Sequence, residues 1–315
     1  MTDVIIVGAG LSGLVAARTL SSAGQSVTVF DKGRSVGGRL ATRRIAGARL
    51  DHGAQFMTVR SDAFAAQVDD WATRGLARVW CNGFGDGDGH PRWIGSSGMN
   101  SLAKDLASGL DVRVDHLVFS CTREHDRWVV TIDDGQRFDA DVLVLTAPVP
   151  QSFSMVFETV DVPRALMATE PHRTIGLLAV LDGASAVPEP GGVQDPNDDI
   201  SFVADNAAKG ISDIPAITLH ASPSWSLEHW DDSDLEAQLT ELARPWIGTA
   251  NIIESKVKKW RLATPTAIWP EPCWVDVDHR VVIGGDAFAG PRVEAAHNSG
   301  LAAGKAAISL CTPRR

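Results

Sequence analysis

The sequence predicts an α/β fold built on a buried parallel sheet, and three local observations carry that expectation. The first is the apolar run Val4-Ile5-Ile6-Val7, continuous rather than alternating, as a strand covered on both faces requires. The second is the glycine turn directly after it, Gly8-Ala9-Gly10-Leu11-Ser12-Gly13, leading into a small-residue helical stretch from about Leu14 to Leu20 with Gly24 as its stop. The third is another apolar strand, Ser26 to Phe30, closing on Asp31.

This strand, glycine turn, helix, strand and acid form one G-x-G-x-x-G unit in its proper context. Gly8 permits the tight turn, Gly10 lets a pyrophosphate approach the backbone, and Gly13 lets the helix pack close to the strand. The helix N-terminus then offers free N–H groups and a partial positive charge to phosphates. Asp31 is placed to accept hydrogen bonds from an adenosine ribose. Gly8, Gly10, Leu11, Ser12, Gly13, Asp31 and the adjacent Lys32 are thus the expected contacts of an adenine dinucleotide. The alternative is a glycine-rich turn that binds no nucleotide.

Composition narrows the class. The 315 residues suffice for one large or two intertwined α/β domains. A net charge of −10 argues against a nucleic-acid partner, so an anionic ligand would need locally placed arginines. No apolar run reaches the ~18 residues of a membrane span. The first strand starts almost at Met1, which leaves no room for a signal peptide, and a cytoplasmic enzyme is expected. Cys81, Cys121, Cys273 and Cys311 are widely spaced, as reduced thiols would be, and the nine histidines show no metal spacing. Ten tryptophans and no tyrosine exclude any mechanism that needs a phenol.

Further along the chain, Asp111–Val118 and Trp128–Ile132 alternate like strands, with a turn at Asp133-Asp134-Gly135. Asp141–Pro148 reads as a buried strand ending in a loop. Ile175–Leu181, Ile200–Ala204 and Ile217–His220 read as a second sheet, with 182–199 as the loop between the first two and Leu235–Leu242 as a short amphipathic helix. Gly83, Gly85, Gly87 and Gly89 with Asp86 and Asp88 suggest a flexible surface turn or an active-site lid. A calcium loop is disfavoured because Ser97 stands where its last acid would fall. Arg280–Asp286 reads as a strand ending in Gly-Asp. The helix Glu294–Leu310 comes next, with Gly300 and Gly304 on its close-packing side.

The segment Gly37-Gly38-Arg39-Leu40-Ala41-Thr42 resembles the second signature of the FAD family that includes amine oxidases, phytoene desaturases and renalases. The resemblance implies that Gly38 and Arg39 pass close to the FAD pyrophosphate and ribityl chain. It also implies that Asp286, beside Gly285, meets the ribityl hydroxyls and that the last helix, from Val293, points at the flavin pyrimidine. There a helix N-terminus would stabilise the charge of the reduced ring. Asp286 could equally be a turn residue. Val118 is the residue implied to lie against the adenine, unless it is ordinary core.

Other segments resemble the renalase family in particular. They are Leu50-Asp51-His52-Gly53-Ala54-Gln55-Phe56-Met57-Thr58-Val59-Arg60, Trp93-Ile94-Gly95 with Gly98-Met99, Ala221–Ser226, Lys258-Lys259-Trp260-Arg261, and Gly285-Asp286 with Arg292-Val293-Glu294-Ala295. Departures fall on the substrate side: Phe56 replaces a tyrosine, Met57 a phenylalanine and Lys258 a histidine, while Pro291 and Ala296 replace glycines. The resemblance implies an oxidase of the 2- or 6-dihydro isomers of NAD(P)H. A hydride would pass to flavin N5, giving NAD(P)+ and, with O2, H2O2, without a general base. Gln55, Phe56, Gly285 and Val293 join the implied cofactor contacts. Phe56, Met57, Arg60, Trp93, Ile94, Gly95 and Arg292 are the implied substrate contacts. Arg60 and Arg292 would steer the dinucleotide, or else form structural salt bridges. His297 would face the ring, or else serve in packing.

The expectation is therefore a Rossmann-like FAD-binding domain of the amine oxidase/p-hydroxybenzoate hydroxylase type with an inserted α+β substrate domain. The FAD domain would comprise 1–60, 98–150 and 270–315, and the substrate domain 61–97 and 151–269. FAD would be non-covalent, no cysteine lying beside Gly285-Asp286. The expected partners are a small dinucleotide substrate and O2, with no metal, nucleic acid or membrane. Two readings stand beside this one: an amine oxidase or desaturase, and a non-catalytic FAD-binding or redox-sensing protein.

Overall fold

The computed structural model describes residues 2–85, 89–167 and 170–311. Asp86, Gly87 and Asp88, at the centre of the expected glycine-rich turn, lie outside the described residues. Six strands form the principal sheet, in the order Trp274–Asp276, Val281–Ile283, Val142–Leu145, Asp3–Val7, Ser26–Phe30, Asp111–Arg113. All neighbours are parallel except the first pair. Three stretches far apart in sequence thus share one sheet.

Period-two alternation explains why Val4–Val7 is apolar throughout. Val4 and Ile6 face a core shared with the first helix (Leu11–Ser22), while Ile5 and Val7 face a second core. That second core is closed by a three-stranded antiparallel sheet of Val118–Glu124, Arg127–Ile132 and Arg137–Ala140, through Cys121, Trp128 and Val130. Asp111–Val118, expected as one strand, is two. Asp115 takes φ +55° and ends the parallel strand at Arg113, and Val118 begins a strand of the antiparallel sheet.

The second sheet is five-stranded and antiparallel, in the order Gly192–Asn197, Ile200–Asp205, Ala216–Ala221, His172–Leu181, Ile252–Thr264. One face packs on the helix Leu235–Ile247 through Leu239, Ala243 and Ile247. Leu178, Val180 and Ala216 of the other face pack on Ile45, Ala48 and Leu50 of the hairpin Thr42–Ile45/Ala48–Asp51. Part of the expected loop 182–199 is the edge strand Gly192–Asn197, which an edge position allows to carry Pro196 and an irregular register. The segment 61–97, expected with the substrate part, shares the core of the first sheet. Phe64, Val68 and Trp71 of the helix Asp62–Thr73 pack there, as does Ile94.

The C-terminal helix (Val293–Cys311) closes the first core against the first helix. A Cβ on Gly300 would overlap the Ser12 carbonyl oxygen, and one on Gly304 would lie 2.7 Å from Thr19 Cβ. The two backbones meet at a distance only glycine allows. No helix among the described residues is long and apolar enough to cross a membrane.

Replacing Gly300 by Val should push these helices apart. The expected loss is about 1–3 kcal/mol, of the size found for overpacked cores. A urea unfolding midpoint equal to that of the wild type would refute the close contact.

Candidate functional site

The glycine turn fits the phosphate end of a dinucleotide. Gly8 has φ +109°, and a Cβ on Gly13 would overlap the Gly8 carbonyl oxygen. A Cβ on Gly10 would meet no atom within 4 Å, so the backbone there is open to a ligand. The first helix has no side-chain N-cap, and Ser12 Oγ is buried with no hydrogen-bond partner. Unsatisfied polar groups at a helix start are what a bound anion satisfies. Asp31 is held by two turns: Ala9 N–H of the glycine turn donates to Oδ2 and Gly33 N–H of its own turn to Oδ1, each at 2.6 Å. Gly37 N–H donates to the Ala9 carbonyl at 2.8 Å, and a Cβ on Gly38 would lie 3.4 Å from Gly10 Cα, so the second glycine pair packs on the first. Leu11 is buried and Lys32 is exposed.

Arg39 and Asp286 were expected to meet different parts of one cofactor, and here they meet each other. The guanidinium donates two parallel bonds to the carboxylate, 2.5 and 2.6 Å long, and a third to the Ala263 carbonyl at 3.0 Å. One fork-like contact therefore ties the second glycine motif to the Gly285-Asp286 turn and to the end of the strand Ile252–Thr264. Gly285, at φ +139°, donates its N–H to Ser299 Oγ at 2.8 Å, which fastens that turn to the C-terminal helix.

The start of the C-terminal helix is joined to residue 60 by a carboxylate that sequence reasoning passed over. Glu294, 8% exposed, accepts from Arg60 N–H at 2.9 Å and Ser61 N–H at 2.6 Å. Glu294 lies inside the Arg292–Ala295 motif, but nothing local marks it as a clamp. Arg60 and Arg292 are both exposed, and neither forms an ion pair among the described residues. Val293 is half-buried. His297 is buried against Phe64, with ring centroids 5.0 Å apart, and burial lowers its pKa.

The stretch 51–57 bridges the two sheets. Asp51 and Lys209 form an ion pair at 2.7 Å with both side chains fully buried. Asp51 also accepts from Thr42 Oγ1 at 2.5 Å and from Met99 N–H at 2.9 Å, and Lys209 lies 5.2 Å from the Trp80 ring centre. Burial pulls the Lys209 ammonium below the usual lysine range, and Asp51 opposes it. Lys209 stands in no motif, so only the fold reveals it. Gln55 donates to the Asp51 carbonyl at 2.8 Å. Phe56 belongs to an aromatic group with Phe84 and Phe202, at 5.4 and 5.9 Å, with Arg92 5.3 Å from its ring centre. Met57 and Trp93 exchange backbone hydrogen bonds. Met57, Ile94 and Gly95 are buried, while Trp93 is half-buried. A Cβ on Gly95 would overlap the Gly98 carbonyl, which accounts for the glycine spacing of that segment. Val118 sits in the second core with Phe30 and Cys121.

Beside Asp51, His52 stacks on Trp260 with ring centroids 5.4 Å apart, and its carbonyl accepts from Trp260 Nε1 at 2.7 Å and His220 Nε2 at 3.3 Å. Burial, followed by the nearby charges of Lys258 and Arg43 and the neighbouring His220 ring, lowers the His52 pKa to about 3. Burial is also the main cause that lowers His220 to about 4. Both rings are neutral at physiological pH.

Fold and site together define a Rossmann-type dinucleotide-binding protein. Comparison with known proteins narrows the class. The family of NAD(P)-binding Rossmann-like domains matches residues 6–70, and the family of flavin containing amine oxidoreductases matches 64–181. Putrescine oxidase of Kocuria rosea is 43% identical over 68 residues, 22% of this chain and 14% of that protein. Renalase of Mus musculus is 26% identical over 175 residues, 51% of each chain. The chain thus matches about half or less of the length of these relatives. A solved structure from Exiguobacterium, described as a protoporphyrinogen oxidase, superposes with a TM-score of 0.76 at 13% identity, covering 96% of this chain and 98% of that one. The fold is that of the FAD-dependent amine and protoporphyrinogen oxidases. The matches support the amine oxidase superfamily of FAD-dependent oxidoreductases for this chain, and that superfamily implies FAD as the cofactor.

Two measurements test the bridge between the sheets. Lys209→Met leaves Asp51 buried without its cation and should destabilise the protein by about 3–5 kcal/mol, the cost of breaking a buried pair from one side. A change within about 0.5 kcal/mol in urea unfolding would contradict the buried pair. The histidines make a second prediction. Their folded pKa values, about 3 and 4, lie below the unfolded value of 6.5, so acid protonates the unfolded chain first. The stability they contribute is complete above pH 6.5 and declines as pH falls toward 4. The decline is up to about 1.4 kcal/mol per pH unit for each histidine. His220→Gln should reduce the slope of unfolding free energy against pH between 6 and 4.5, and an unchanged slope would exclude a buried neutral imidazole.

Proposed function

We propose that the protein is an oxidase of the 2- or 6-dihydro isomers of NAD(P)H, with non-covalent FAD, yielding NAD(P)+ and H2O2. One observation carries the choice within the superfamily: the likeness to renalase runs through 175 residues, against 68 for putrescine oxidase. It reaches well beyond the length of a dinucleotide-binding unit.

When bound, FAD supplies the two-electron chemistry, accepting hydride from the substrate and passing electrons to O2. The chain's own groups hold and orient. Gly8–Gly13 and Asp31 would take the phosphate and ribose end. Arg39 and Asp286, now paired, would divide between the pyrophosphate and the ribityl hydroxyls. The start of the C-terminal helix contributes its partial positive charge near the redox end. Glu294 fixes the backbone that presents Arg60, and Arg60 with Arg292 would orient the substrate's phosphates or carboxamide. His297, neutral and packed on Phe64, would act through position rather than proton transfer. We assign cofactor binding to 1–60, 98–150 and 270–315, and substrate binding mainly to 151–269.

Amine oxidation is the second reading, favoured by the match to the amine oxidoreductase family over residues 64–181. Anaerobic stopped-flow mixing separates the two. The yellow holoprotein should bleach within seconds with 6-dihydro-NAD and remain oxidised with putrescine or another primary amine. Bleaching by the amine alone would establish the second reading. A colourless protein with no saturable flavin binding would end both.

A further inference from the structure

One face of the five-stranded sheet carries a row of four positions in register across four strands: Phe202, His220, Gly176 and Lys258. This face meets the hairpin 42–51 and the residues just after it. The row is aromatic at one end, where Phe202 lies 5.9 Å from Phe56. It is cationic at the other, where Lys258 Nζ sits 4.4 Å from the centre of the Trp260 ring. Between them Gly176 contributes no side chain, and a Cβ there would come within 3.1 Å of the His220 ring.

The cationic end has no counter-ion among the described residues. Lys258 is half-buried and Arg43 is exposed, and neither forms an ion pair there. Burial, then the charge of Arg43, lowers the Lys258 pKa, the charge of Arg43 also bears on His52, and no carboxylate offsets it at either group. His52 Nδ1 is buried without a hydrogen-bond partner. In a chain of net charge −10, two cations and an unpartnered ring nitrogen gathered without an acid form a local field that a bound anion would neutralise. The strand bearing Lys258 and Trp260 continues to Ala263, whose carbonyl accepts from Arg39, the partner of Asp286. The cluster thus shares a strand with the residue that contacts the proposed cofactor site.

We propose that Lys258 and Arg43, with His52 beside them, form the subsite that takes an oxyanion of the substrate. On the nicotinamide-nucleotide reading above, which this identification rests on, that oxyanion is a phosphate of the dinucleotide. The subsite selects an anionic substrate and disfavours a cationic amine. Lys258 stands where the resembled motif has histidine, so a lysine at this place is a feature of this chain.

Equilibrium titration of the FAD-loaded protein, monitored by perturbation of the flavin spectrum, tests this without turnover. The probes are NAD+, nicotinamide riboside, which lacks phosphate, and succinate, which supplies carboxylate alone. NAD+ should bind the wild type more tightly than the riboside does. Lys258→Gln and Arg43→Gln should each weaken NAD+ about tenfold to hundredfold, the scale of one lost charge-assisted contact, and leave the riboside unchanged. Lys258→Arg should restore most of the affinity. Flavin content equal to the wild type shows that each variant is folded. If NAD+ and riboside both fail to bind while succinate binds in a Lys258-dependent way, the anion subsite stands and the nucleotide reading falls. If NAD+ binds with the same Kd in wild type, Lys258→Gln and Arg43→Gln, the subsite is refuted while the nucleotide reading survives. Putrescine binding more tightly to the wild type than to Lys258→Gln would likewise overturn the subsite.

Discussion

The approach of the C-terminal helix to the first helix sets the geometry on which the site depends. Gly300 faces the Ser12 carbonyl and Gly304 faces the Thr19 side chain, so the C-terminal helix has no room for a Cβ at either position. Apolar burial alone could hold two helices together at many offsets, since it has no direction. A backbone contact through glycine is different, because shifting the register would drive a Cβ into a carbonyl. The contact fixes where the C-terminal helix begins, and with it Glu294, Ser299 and the Gly285-Asp286 turn. Residues separated by some 250 positions meet beside Gly8–Gly13 for that reason, and the Arg39–Asp286 fork completes the closure.

The second sheet is attached by polar means. Asp51 receives Lys209 from the turn after Ile200–Asp205, Thr42 from its own hairpin and Met99 from the start of a helix, while Thr218 donates to its carbonyl. Burying an ion pair rarely adds net stability, because desolvation offsets most of the attraction. What it adds is discrimination: any displacement of the second sheet leaves a bare charge in the interior. The five-stranded sheet is therefore held at one position relative to the 51–57 stretch. That stretch carries both Phe56, on the aromatic side, and His52, on the cationic side.

Much of the cofactor half was legible in sequence because backbone constraints leave a local trace. Gly8, Gly13, Gly300 and Gly304 are each required by a contact within reach of a motif, and an apolar run such as Val4–Val7 reports burial on both faces. Lys209 left no such trace. A lysine in a polar turn is normally solvent-exposed, and only tertiary pairing with a residue 158 positions away makes it fully buried. Glu294 stands within a motif yet shows no role in sequence, since its partners are backbone N–H groups on another element. Position in the chain groups 61–97 with the second sheet, whereas the helix Asp62–Thr73 packs in the core of the first. Its three buried residues, Phe64, Val68 and Trp71, do not reveal which sheet they will meet. The break at Asp115 was hidden because alternation continues across it.

The same distinction bears on what the protein does. The proposed cofactor contacts lie on turns, helix ends and positions without a Cβ, and those positions resemble the family signature. The proposed substrate contacts rest on side-chain chemistry, and the departures at Phe56, Met57 and Lys258 fall among them. Of these, Met57 is buried and keeps its backbone pairing with Trp93, so its change alters packing more than contact. Phe56 loses a hydroxyl and joins an aromatic group, which makes its end of the sheet face less polar. Lys258 puts an ammonium where the motif has an imidazole, and burial followed by the charge of Arg43 lowers it from the usual lysine range. The changes at Phe56 and Lys258 therefore push the ends of one row in opposite directions, one toward an apolar ring and the other toward an anion. On the proposed reading, a molecule that carries an aromatic ring and a phosphate would meet both ends, and a small aliphatic diamine would be opposed at the cationic one.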